Sequence, residues 1–268
     1  MTPIQKNIRF PFLLSALLGL SSLSAQVEFG GSYFQDFDTL PTNTNVTDPI
    51  VFTNNDTLLG WYTNREGSGR ASSGQQSNYG KGIYDWGQTD STDRALGTFN
   101  KDGFSPETAY FGVQLLNTSG SAIESITLTY TVEQWRRNVE ATTWTGSYLV
   151  TADSGDMIGS EVSGYTGIAA ATVTAQSTGS AGSMNGNMEA NQQGFTITLT
   201  NLNWQAGEYL WIRWGNAQVA DSSGMGIDNL TITAIPEAET SSLLLAATLA
   251  LAVAHVRRRH LRAMIQRV

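Results

Sequence analysis

The chain of 268 residues carries 15 Lys plus Arg against 23 Asp plus Glu, a formal net charge of −8, with two histidines and no cysteine. Both histidines, His255 and His260, lie near the C-terminus, so residues 26–234 have neither residue type; this excludes Ser-His-Asp and Cys-His catalysis, histidine-bearing zinc sites and a disulfide framework there. The same stretch holds eight Lys or Arg and 21 Asp or Glu, a net charge of −13, which repels nucleic-acid phosphates and suits a solvated surface, cations or neutral glycans.

In chain order, Lys6 and Arg9 precede an apolar run from Phe10 to Leu20, and the small residues Ser21, Ser22, Ser24 and Ala25 follow it. That order predicts a secretory signal peptide over residues 1–25. From Gln26 onward the pattern is strand-like, with turn-forming Gly, Asn, Ser and Asp between short runs. The first expected strands are Tyr33–Phe37, Trp61–Thr63, Ile83–Trp86 and Ala95–Phe99. Phe111, Val113 and Leu115 alternate up to the turn at Asn117–Gly120, and Ile126, Leu128, Tyr130 and Val132 alternate with Thr127, Thr129 and Thr131. Such alternation marks a strand with one buried face. Further strands are expected over Trp144–Val150, Phe195–Thr200, Leu210–Trp214 and Ile227–Ile232, and loops over Glu66–Tyr79 and Ala169–Gln193, the latter with room for an edge strand.

Some ten strands over about 210 residues predict one all-β domain at 26–234, an antiparallel β-sandwich of jelly-roll, concanavalin-like type. The tail at 235–268 has its own organisation. Pro236 and Glu237 lead into an uncharged stretch from Leu243 to Val256, followed by Arg257, Arg258, Arg259 and Arg262. A helix over 241–256 would rise about 24 Å, close to the ~30 Å hydrocarbon core once arginines snorkel. The arginines would stay on the cytoplasmic side, leaving the body on the other.

This tail resembles the PEP-CTERM sorting signal of Gram-negative bacteria, which joins a Pro-Glu motif, an apolar helix and terminal arginines. The resemblance implies an exosortase-like processing enzyme as partner, with anchoring in the membrane and transfer toward the cell surface. Ala238 stands where that family usually has a second proline. The Gly226-Ile227-Asp228-Asn229 run resembles the terminal strand of secreted MAM-like and other concanavalin-like modules. Phe37–Leu40, Gly60–Tyr62, Arg94–Gly97 and Glu133–Arg137 together resemble exported bacterial β-sandwich domains that often carry such a tail.

Four groups are candidates for chemistry. Asp221, Asp228 and Asn229 place oxygens around glycines and suggest calcium, though without EF-hand spacing; the alternative is turn hydrogen bonding. Asp85, Asp90 and Asp93 beside Arg94 offer either calcium ligands or an ion pair. Glu133, with Asp38 or Asp228, could form a glycosidase carboxylate pair, against a structural role for Glu133 beside Arg136 with Trp135 in the core. Trp211 and Trp144, among seven tryptophans, are candidate faces for stacking on sugar, against simple core filling. The expected function is that of a non-enzymatic, surface-displayed protein in adhesion or extracellular polysaccharide, with a carboxylate glycosidase or lyase as the alternative.

Overall fold

The computed structural model describes residues 26–42, 51–65, 70–72, 82–99, 108–217 and 220–237. Their alternating segments become β1 (Glu28–Phe29), β2 (Ser32–Gln35), β3 (Trp61–Thr63), β4 (Arg70–Ser72), β5 (Gly82–Trp86), β6 (Ala95–Phe99) and β7 (Ala109–Asn117). They continue as β8 (Ile126–Arg137), β9 (Thr143–Thr151), β10 (Thr166–Thr174), β11 (Gly182–Ser183), β12 (Gln192–Leu199), β13 (Tyr209–Asn216) and β14 (Gly224–Ala234). The one helical element among the described residues is a single 3₁₀ turn at Glu189–Asn191. The expected signal segment 1–25 and the apolar stretch with its arginines lie outside the described residues. Among the described residues no helix is long and apolar enough to cross a membrane.

The strands form two sheets. Sheet A runs β1-β7-β13-β9-β10, with β3 also on β7; sheet B runs β11-β8-β14-β6-β5-β4, with β12 also on β8 and β2 on β14. The pairings are antiparallel except β1 with β7 and β4 with β5. The architecture is thus an all-β sandwich. The alternation read from Ile126 to Val132 holds: these residues face the core and sit opposite Phe195, Ile197 and Leu199 of β12.

The inner faces meet around aromatic rings. Trp214 of sheet A lies edge-on to Tyr130 of sheet B with centroids 5.4 Å apart, and it stacks on Phe111 at 5.8 Å. Indole N–H groups carried into this core need acceptors, because an unpaired buried donor costs about 1–3 kcal/mol. Several find theirs on the opposite sheet: Trp61 donates to Tyr33 Oη (2.8 Å), Trp144 to Thr98 Oγ1 (3.0 Å) and Trp214 to Tyr130 Oη (3.4 Å). Asn216 donates to the same Thr98 hydroxyl at 2.8 Å. These polar contacts fix the lateral register of the sheets, which apolar packing alone leaves loose.

Two expected loops contain strands. Residues 169–174 belong to β10, the edge of sheet A, whose Ile168, Ala171 and Val173 enter the core across a register shift. The small side chains there suit the site: a Cβ on Gly146 would lie 2.4 Å from the Ala171 Cβ, so these strands meet through Gly and Ala. Within Glu66–Tyr79, Arg70–Ser72 pairs in parallel with β5.

Candidate functional site

Each sheet has an outer face turned away from the shared core, and the two faces are built differently. On sheet B, Gly97, Gly224 and Gly226 make a floor on β6 and β14. A Cβ on Gly224 would lie 2.7 Å from Trp86, and one on Gly226 would lie 2.9 Å from it. The glycines therefore let the Trp86 ring rest directly on β14, where its N–H donates to the Met225 carbonyl at 2.9 Å. Tyr84 stacks on Trp86 at 4.7 Å and Phe99 meets both edge-on, completing a buried cluster with Ala95 and Trp135.

Glu133 lies beside this cluster at 2 % exposure, with both oxygens engaged: Trp135 Nε1 donates to Oε2 and Gln192 Nε2 to Oε1, each at 2.9 Å. Burial pushes its carboxyl up to about 7, with the Asp93 charge adding to the rise and the Trp135 bond opposing it. Asp228 is pushed up to about 8, first by burial and then by the Glu133 charge. Its two oxygens accept from the backbone N–H and side-chain amide of its neighbour Asn229, both at 2.7 Å. Asp38 is exposed and accepts the Arg94 backbone N–H at 3.2 Å. Glu133 thus belongs to a closed network, not to an open cleft shared with Asp38.

The expected calcium group does not assemble. Asp221 sits in the turn before β14, its carbonyl taken by Glu140 N–H, while Asp228 lies inside the strand bonded to Asn229. Among the described residues no three Asp, Glu, His or Cys side chains are placed to hold a metal ion. The second acidic group also parts: Asp93 accepts from Asn187, while the Asp85 carboxylate is buried with the Arg94 guanidinium as its main charge partner.

The tryptophan platform is likewise corrected. Trp211 and Trp144 are both fully buried. Trp144 points into the core, toward Thr98. Trp211 does face away from the core, as its phase in β13 requires, but a third layer covers it: the β9–β10 connection, residues 152–165, folds back over sheet A as a strap. Ile158 packs with Tyr62, Tyr209 and Trp211 there, with Met157 and Tyr165 at the margin. Among the described residues the indole N–H of Trp211 has no partner, whereas those of the other six tryptophans are bonded.

The strap has a polar side too. An open pocket of about 350 Å³ lies between it and the end of β3, lined by Asn54, Thr63, Asn64, Asp156, Ile158, Gly159 and Glu161. That volume is at the small end of ligand sites. Its walls are tied together: Asn54 Nδ2 donates to Thr63 O (3.1 Å) and Asp156 Oδ2 (3.0 Å), and Asn64 bonds the backbone of Thr108 and Tyr110 at 2.8 Å. Glu161 is different. It is exposed, and among the described residues its carboxylate makes no hydrogen bond. Ionised carboxylates only accept, so the pocket offers acceptors to hydroxyl or ammonium donors and repels anions.

No family model and no curated protein matches the chain. Among solved structures, the K3 cleaved adhesin domain of Lys-gingipain from Porphyromonas gingivalis is 13 % identical, with a TM-score of 0.39, over 65 % of this chain and 92 % of that one. The CBM22-1 xylan-binding domain from Paenibacillus barcinonensis is 9 % identical (TM-score 0.37), over 80 % of this chain and 99 % of that one. The C-terminal family 22 carbohydrate-binding module from Clostridium thermocellum is 10 % identical (TM-score 0.38), over 78 % and 97 %. No family follows from them. Scores this low describe general shape and carry nothing about ligand.

Neither the strap nor the pocket was a sequence expectation. The one available signal was the run Asp153–Gly164, whose Asp, Gly and Glu residues interrupt two Thr-rich strands.

Proposed function

We propose that this protein is an exported, non-catalytic β-sandwich of jelly-roll type that binds neutral carbohydrate, in cell-surface adhesion or an extracellular polysaccharide matrix, through the pocket on the outer face of sheet A. The observation that carries the reading is the open pocket itself, with fixed walls and an accessible Glu161 carboxylate ready for hydroxyl donors. The net charge of −13 over residues 26–234 favours neutral over anionic polymers. Against catalysis, Glu133 and Asp228, one of the candidate glycosidase pairs, are buried and hydrogen-bonded inside sheet B. Export and anchoring rest on the Lys6-to-Ala25 order and on the Pro236–Arg259 tail, with an exosortase-like enzyme as processing partner and the membrane as anchor.

Isothermal titration of the purified chain against neutral, amino and uronic-acid oligosaccharides tests this. Binding to neutral glycans, weakened about tenfold or more by Glu161→Ala, is the expected result. Release of new reducing ends, or binding confined to acidic glycans, would overturn it.

A further inference from the structure

Arg213 lies at the middle of β13 on the outer face of sheet A, with the Glu161 carboxylate among its charge partners. It is 5 % exposed, yet its hydrogen bonds go to neutral groups. Nη1 donates to the carbonyls of Ile158 (3.0 Å) and Gly159 (2.6 Å), and Nε to Ser147 Oγ (3.3 Å). The flat faces of the guanidinium are covered by two rings, Tyr165 at 3.4 Å and Tyr110 at 4.0 Å from centroid to Cζ. Each ring face attracts the desolvated cation and so opposes the cost of its burial.

The neighbouring strands are shaped for this group. Gly112 faces Arg213 in register, and a Cβ there would lie 2.8 Å from the Arg213 Cβ. Gly215 faces Tyr110, and a Cβ there would lie 2.6 Å from the tyrosine ring. The two glycines thus let the arginine and the ring lie side by side on the sheet. From the other side, Tyr165 stacks on the guanidinium while its hydroxyl donates to the Met157 carbonyl at 3.0 Å.

Every one of these bonds to the strap ends at residues 157–159, and Ile158 and Gly159 are a wall of the pocket. We infer that Arg213 is the positioning residue of the pocket: it touches no ligand, and by clamping the Met157–Gly159 backbone it sets the wall from which Glu161 is presented. This rests on the reading of the pocket as the glycan site. Lysine cannot replace it, since an ammonium has no flat faces to lie between the two rings and no Nε to donate to Ser147 as well.

The experiment uses the full chain and two readouts, hydrogen exchange of the backbone and affinity for the neutral oligosaccharide that the wild type binds best. Arg213→Lys keeps the charge and is expected to speed exchange at 157–161 about tenfold and to weaken binding by a similar factor, with exchange in β7 and β13 unchanged. In Arg213→Ala, added methylguanidinium below denaturing concentration is expected to fill the slot between Tyr110 and Tyr165 and to restore both strap protection and affinity, which a general loss of packing would not allow. Unchanged strap exchange in Arg213→Lys overturns the clamp. A loosened strap with unchanged affinity overturns the positioning role. A wild type that binds no glycan overturns the pocket reading, while the exchange data decide the clamp separately.

Discussion

The two outer faces of the sandwich each bury an arginine against aromatic rings but use their carboxylates in opposite ways. On sheet B, acidic groups are buried and held by neighbours: Glu133 by Trp135 and Gln192, Asp228 by Asn229. On sheet A the carboxylates of Asp156 and Glu161 stand at an open pocket, and the buried charge is a cation seated among tyrosine faces and carbonyls. The difference teaches that perturbed acidity and usable acidity part company here. Burial raises a carboxyl's pKa, and the same burial keeps it from any substrate.

If sheet B's outer face is structural, its substitutions should lower stability most. Trp86→Ala removes the ring lying on the glycine floor, and a loss of about 3–5 kcal/mol is expected in urea denaturation. A Cβ at Gly97 would lie 1.9 Å from the Met225 carbonyl oxygen; Gly97→Ala should therefore cost about 3 kcal/mol, whereas Gly194→Ala on β12, where nothing lies within 4 Å, should stay within about 0.5 kcal/mol of wild type. A Gly97 variant as stable as the Gly194 one would show that the floor yields.

Glu133 supplies a pH test. Its carboxyl sits at about 7 when folded against an ordinary 4.5, and Asp228 at about 8 against 3.8. The folded state therefore binds more protons than the unfolded one between these values, so stability falls as pH rises through roughly 4 to 8 and is full below that window. The wild type should lose stability across it, and Glu133→Gln should flatten the loss, as read from melting temperature against pH. Equal slopes would place the titrating group elsewhere. Smallest in stability is Glu161→Gln: an unchanged melting temperature with weakened glycan binding is expected, and a large drop in melting temperature would erase the contrast between the faces.

Most of the sandwich could be read from the chain because a period of two reports which side of a sheet a residue occupies. Ile126 to Val132 and Leu210 to Trp214 were legible for that reason. The period is silent on a third layer, and so the outward phase of Trp211 suggested exposure while the strap buries it. β10 was legible only as room for an edge strand within an expected loop, because its core contacts are Ala171 and Val173 amid Ala and Thr, too small to stand out against the background. The Gly-Met-Gly-Ile-Asp segment looked like ligand chemistry, whereas its glycines answer to Trp86, 138 residues earlier than Gly224. The pocket was illegible on the same ground: Asn54, Thr63 and Glu161 come from separate segments, and Arg213 reaches them from a fourth.

The position of β14 has a consequence in time. It is the latest strand described in the chain, yet it is central to sheet B, pairing with β8 on one side and with β2 and β6 on the other. Leu230 lies opposite Gln35 across nearly two hundred residues of intervening chain. During synthesis β2 and one edge each of β6 and β8 have no partner strand until Gly224–Ala234 arrives, and a nascent chain stalled before that point presents those edges open. Such long-range closure makes folding slow.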